Sequence, residues 1–129
     1  MNQTSVVRTD TSLHIERIRS GQGYRLSGEI DLCSHDALAA ALGRLNGPGD
    51  IHLDLSGLEF CDAAGLGTIV ALTERVWPSG HVILSGVSRQ ISKMLTVLHW
   101  DLRPNLEIHR RTEKPEPEGF PASRSVIMS

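Results

Sequence analysis

The chain has 129 residues, of which 40% are hydrophobic and 22% charged, with a formal net charge of -2 at pH 7. This is the composition of one ordinary soluble domain, and its near-neutral balance gives no electrostatic reason to expect nucleic acid or an anionic membrane as partner. No apolar run approaches the roughly 18 residues of a membrane span, and Met1-Asn2-Gln3-Thr4-Ser5 lacks the basic-then-apolar pattern of a signal peptide, so the expected compartment is the cytoplasm.

Residues 1–10 are polar and patternless and are expected to be a flexible lead-in to a domain spanning 11–111. Leu13 to Arg19 alternates partway and predicts a strand with an irregularity. Gly21-Gln22-Gly23 is a turn, after which Tyr24, Leu26, Gly28 and Ile30 alternate with Arg25, Ser27, Glu29 and Asp31 as a half-buried strand. The short glycine turn makes these two strands a hairpin. Ser34 is a suitable N-cap for a first helix whose apolar face is Leu38, Ala41, Leu42 and Leu45, and Asn46-Gly47-Pro48-Gly49 stops it.

Ile51, Leu53 and Leu55 form the next strand, with His52, Asp54 and Ser56 on its other face. An acidic turn then leads to a second helix over about 63–76, with Leu66, Ile69, Val70, Thr73 and Val76 packed inward and Pro78 at its end. His81 to Ser85 is a short apolar run that predicts a strand covered on both faces. Ser88 caps a third helix carrying Ile91, Met94, Leu95 and Leu98, and Leu106-Glu107-Ile108 is a last strand. The order β β α β α β α β predicts an α/β fold: a mixed sheet of about five strands with three or more helices packed on it. From Thr112 the chain turns proline- and glutamate-rich, and 112–129 is expected to be a disordered tail.

Motifs for chemistry are scarce. The six histidines follow no metal-ligand spacing, and the two cysteines, Cys33 and Cys61, are expected to stay reduced. There is no G-x-S-x-G elbow, no Walker A loop and no complete G-x-G-x-x-G, because Val70 stands where the third glycine of Gly65-Leu66-Gly67 would fall. Aromatic residues make up 4%, which argues against base stacking. The chain is therefore expected not to be an enzyme and to hold no metal or cofactor. Acids do gather at strand ends: Asp31, Asp54 and Asp62. Asp31 and Asp62 are expected at one edge of the sheet, either as helix caps or as partner contacts. Gly65 and Gly67 have two readings as well: close packing of the helix on the sheet, or an exposed helix start that a partner can approach.

The stretch Leu26-Ser27-Gly28-Glu29-Ile30-Asp31-Leu32, followed by Leu53-Asp54-Leu55-Ser56-Gly57-Leu58-Glu59-Phe60-Cys61-Asp62-Ala63-Ala64-Gly65-Leu66-Gly67, resembles a STAS domain of the anti-sigma factor antagonist type, over about residues 11–110. The resemblance implies a STAS fold and a regulator of transcription that binds an anti-sigma factor, itself a serine kinase with a histidine-kinase-like ATPase fold, and so releases a sigma factor. It implies a partner-binding surface built from Asp31, Ser34, Asp62, Ala63, Ala64, Gly65, Leu66 and Gly67. In such proteins the kinase phosphorylates a Ser or Thr immediately after the motif aspartate, which breaks the complex. Here that position is Ala63, which has no hydroxyl, and Ala64 offers no substitute. Ser56, placed before the turn, and Thr68, whose hydroxyl is expected to face inward, are not expected to be equivalent targets. The resemblance thus implies a non-phosphorylatable antagonist, monomeric or weakly dimeric. Two other readings stand beside it: a small-ligand sensor holding a nucleotide at this helix start, and a subunit of a signalling or lipid-transport assembly.

Overall fold

A computed structural model of the protein describes residues 12–111, apart from 20, 46 and 48. The expected lead-in over 1–10, the expected tail over 112–129, and Asn46 and Pro48 of the helix stop lie outside the described residues. Five strands form one sheet: β1 (Leu13–Arg17), β2 (Gln22–Ile30), β3 (Ile51–Cys61), β4 (Val82–Val87) and β5 (Leu106–Arg110), in the spatial order β1-β2-β3-β4-β5. The helices are α1 (His35–Gly43), α2 (Ala63–Val70), α3 (Leu72–Val76) and α4 (Arg89–Val97). Because α2 and α3 are separated by Ala71 alone, itself in helical conformation, they act as one helical unit, and the expected five strands and three helices are present.

β1 and β2 are the antiparallel hairpin that the glycine turn predicts, with Leu13 opposite Gly28 and Arg17 opposite Tyr24. The pairs β2–β3, β3–β4 and β4–β5 are all parallel. Each parallel pair joins neighbours in sequence through a helix, and crossovers of one hand put all the helices on one face of the sheet. That face carries the core: Leu26, Ile30, Leu53, Leu55 and Leu84 from the strands meet Leu38, Leu66, Ile69 and Leu95 from the helices. The opposite face is polar, with His14, Arg25, His52 and His109 exposed on it.

This two-layer arrangement corrects the expectation for β4. Its burial alternates, with Val82 and Leu84 buried and Ile83 and Ser85 half-buried, so it is covered on one face only. β3 also differs from its prediction. Ser56-Gly57 does not begin a turn; β3 runs for 11 residues to Cys61 and bulges against β2 near these residues. A Cβ on Gly57 would lie 2.6 Å from the Ser27 Cβ, so the glycine serves a close strand approach. β1 is shorter than predicted and ends at Arg17.

Side chains tie the two layers together. The buried Tyr24 donates its hydroxyl hydrogen bond to the Ala41 carbonyl of α1 at 2.8 Å. Arg75 of α3 donates to the carbonyls of Leu42, at 3.0 Å, and Leu45, at the end of the α1 segment. Asn105, buried before β5, donates to the carbonyls of Thr73 and Gly80 at 2.8 and 3.0 Å and fastens α3 to the sheet edge. No helix among the described residues is long and apolar enough to cross a membrane.

Candidate functional site

The parallel register of β2 and β3 places Ile30 opposite Cys61, and the Asp62 amide donates to the Ile30 carbonyl at 3.0 Å. The chain therefore leaves both strands at the same edge, and Asp31 and Asp62 are the first residues beyond them. Both carboxylates cap helical turns, as expected of acids at orphan N–H groups. Asp31 accepts from the Cys33 amide at 3.0 Å and closes a short 3-10 turn over Leu32–Ser34. Asp62 is the N-cap of α2 and accepts from the Gly65 amide at 2.8 Å.

His35, the first residue of α1, adds a contact that sequence reasoning did not identify. Its Nε2 lies 2.9 and 3.0 Å from the two oxygens of Asp62 and donates to them, across 27 positions in the chain. Only the parallel pairing brings the two together, so no local spacing announced it. Burial alone would push the Asp62 carboxyl up. The hydrogen bonds from His35 and from the Gly65 amide outweigh that and hold it below the usual carboxylate range.

The sequence-predicted residues divide into two groups. Asp31 and Asp62 are half-buried at the rim, and Ala63 and Ala64 are exposed on the first turn of α2. Leu32, 81% exposed, lies beside them in the chain order of the rim. Ser34, Gly65 and Leu66 are buried. Ser34 does not cap α1 as predicted: its hydroxyl accepts from the Asp31 amide at 2.9 Å and donates to the Glu29 carbonyl at 3.1 Å, completing a capping box inside the preceding turn. Leu66 is a core residue, in keeping with its periodicity with Ile69 and Val70.

For the two glycines, close packing is the reading that holds. A Cβ on Gly65 would lie 2.2 Å from Cγ2 of Ile30 and 3.0 Å from the Asp62 carboxylate. The missing side chain thus lets α2 seat on β2 while its cap forms. Gly67 is half-buried beneath Trp100, whose ring would be 3.1 Å from an added Cβ. The space over both glycines is filled from within the chain, so neither offers an open approach to another molecule.

The two nearby hydroxyls stand away from the position that follows Asp62. Ser56 is exposed within β3, not ahead of a turn. Thr68 is exposed and not inward-facing as expected, but its hydroxyl donates to the Ala64 carbonyl at 3.1 Å, a back-bond within its own helix. Cys33 is exposed and Cys61 buried, where burial first and then the neighbouring Asp62 charge push the Cys61 thiol up to about 12. Among the described residues no group of three His, Cys, Asp or Glu side chains is arranged to hold a metal.

Comparison with known proteins gives two findings. A family model described as "Mlab, STAS domain" matches residues 15–106. A crystal structure of an anti-sigma factor antagonist from Mycobacterium paratuberculosis superposes with a TM-score of 0.59 at 24% identity, covering 74% of this chain and 83% of that one. At that identity the likeness is one of fold, and it extends over the mixed five-stranded sheet and its helices.

Two outcomes follow from the geometry. Gly65→Ala drives a methyl into Ile30 and is expected to lower stability by about 1–3 kcal/mol in urea unfolding; an unchanged midpoint would contradict the packing role. Because the Asp62 pKa is lower folded than unfolded, its contribution is complete above about 3.9 and is lost as pH falls through the folded value. The melting temperature of the wild type should therefore fall more steeply than that of Asp62→Asn as pH drops below about 4. Parallel curves for the two proteins would contradict the assignment.

Proposed function

The chain belongs to the STAS domain family, and from that premise we propose that it is an anti-sigma factor antagonist whose binding is not switched by phosphorylation. Its partner is an anti-sigma factor that is also a serine kinase with a histidine-kinase-like ATPase fold, and its binding releases a sigma factor for transcription. The reaction is an exchange of protein partners, with no bond made or broken by this chain. The docking surface is the exposed first turn of α2, Ala63 and Ala64, flanked by Asp31 and Asp62. Ser34, Gly65, Leu66 and Gly67 support that surface from beneath.

The observation that carries this reading is the exposed methyl group of Ala63, directly after a firmly held Asp62. A Ser or Thr there would point its hydroxyl to solvent at a helix start, open to a kinase. Phosphorylation would add a charge of about -2 beside two carboxylates, and the charge would have to be stripped of water on docking. With a methyl group the surface keeps one charge state. The same two carboxylates oppose an anionic nucleotide at this helix start, which favours a protein partner over a nucleotide.

The test is incubation with the histidine-kinase-like ATPase partner and ATP, read by mass spectrometry. The wild type should keep its mass, and Ala63→Ser should gain one phosphoryl group and lose its complex with the kinase. Stoichiometric phosphate on the wild type, or an Ala63→Ser protein that binds the kinase and is never modified, would contradict the proposal.

A further inference from the structure

The β4–β5 end of the sheet holds a second cluster that the docking surface does not use. Arg89 opens α4, Arg110 ends β5 opposite Val87, and the Arg111 amide donates to the Val87 carbonyl at 2.7 Å. The three arginines and Val87 line a cavity of about 100 Å³. Among the described residues none of the three has an acidic partner; the arginines that form ion pairs are Arg25, with Asp54, and Arg103, with Glu74. Arg111 reaches inward, donating through Nη2 to the carbonyls of Leu58 at 3.2 Å and Leu55 at 3.5 Å, beyond the last paired residues of β3 and β4, Asp54 and Ser85. Its Nε is buried with no acceptor among the described residues.

Folding accounts for the hydrogen bonds of Arg111, whereas Arg89 and Arg110 stand exposed beside it with no acidic partner among the described residues. Three guanidinium groups around one cavity repel each other. Arg89 also stands at the positive end of the α4 dipole, where a cation is unfavourable, and the first turn of α4 contains no acid to offset it. A bound anion would neutralise the charges that face the cavity. Guanidinium forks match the oxygens of a phosphoryl group, with several donors converging on one centre. The cavity, about 100 Å³ and open to solvent, has room for a phosphoryl group.

We propose that Arg89, Arg110 and Arg111 form a binding site for a phosphate oxyanion, either free inorganic phosphate or the phosphoryl group of a small phosphomonoester. The site lies at the carboxyl ends of β4 and β5 and is separate from the first turn of α2, so it stands whether or not the antagonist reading does.

The experiment is thermal denaturation of the full chain in sodium phosphate, in glycerol 3-phosphate and in sodium chloride at matched ionic strength. Phosphate should raise the melting temperature in a saturating manner, by about 5 °C at roughly tenfold excess over Kd. A rise with both probes identifies the phosphoryl group itself as the ligand, and a rise with the ester alone identifies a phosphomonoester; either supports the site. The Arg89→Gln/Arg110→Gln protein should melt at or above the wild type in chloride, because the mutual repulsion is relieved, and lose the rise. Broadening of the phosphorus NMR line of phosphate by the wild type, absent with Arg110→Gln, reads the same site without unfolding. A rise that survives the double substitution overturns the proposal. So does the absence of a rise with either probe, which is the result if carboxylates of Glu113, Glu116 or Glu118 fill the cavity instead.

Discussion

Ile30 on β2 lies opposite Cys61 on β3, and the Asp62 amide extends that ladder to the Ile30 carbonyl. Everything at the candidate docking edge depends on this parallel register. It brings two acids far apart in sequence to one rim, sets His35 against Asp62, and aims the first turn of α2 outward. Gly65 is the steric condition for it, since any side chain there would collide with Ile30. A slip of one residue would turn Ile30 outward and separate the histidine from the carboxylate it steadies.

Much of this was legible in the sequence. The period-two alternation of Tyr24, Leu26 and Ile30 and the helical recurrence of Leu38, Ala41 and Leu42 carried the hairpin, the first helix and the order of elements. The family motifs around Asp31 and Asp62 carried the site's location. What escaped reading depends mostly on which elements meet in space. The strand read over Ile51, Leu53 and Leu55 runs on to Cys61, with Gly57 letting β2 approach. Ser34 resembles a helix cap, yet its hydroxyl is spent one turn earlier. The His35–Asp62 contact and the cover of Trp100 over Gly67 leave no local pattern at all. β4 read as covered on both faces because apolar Ile83 sits between Val82 and Leu84, although all the helices lie on one side.

The rim so built is electrostatically simple. Asp31 and Asp62 spend oxygens on backbone amides, which fixes them, and between them the chain presents small neutral side chains. A methyl group at position 63 leaves no hydroxyl at that place on the rim. The arginine cluster at the β4–β5 end has the opposite character, with positive charge concentrated around a small cavity. The two ends of the same sheet edge thus differ in sign and in the chemistry they can receive.

The central claim is that docking at the first turn of α2 stays available when a phosphoryl donor is present. The affinity of the wild-type chain for the histidine-kinase-like ATPase should be measured before and after prolonged incubation of the mixture with ATP, by a method that reports Kd directly. An unchanged Kd, together with a loss of binding when Ala63 is replaced by Glu, is the predicted result. Weakened binding of the wild type after ATP treatment, or full binding by Ala63→Glu, would contradict the account.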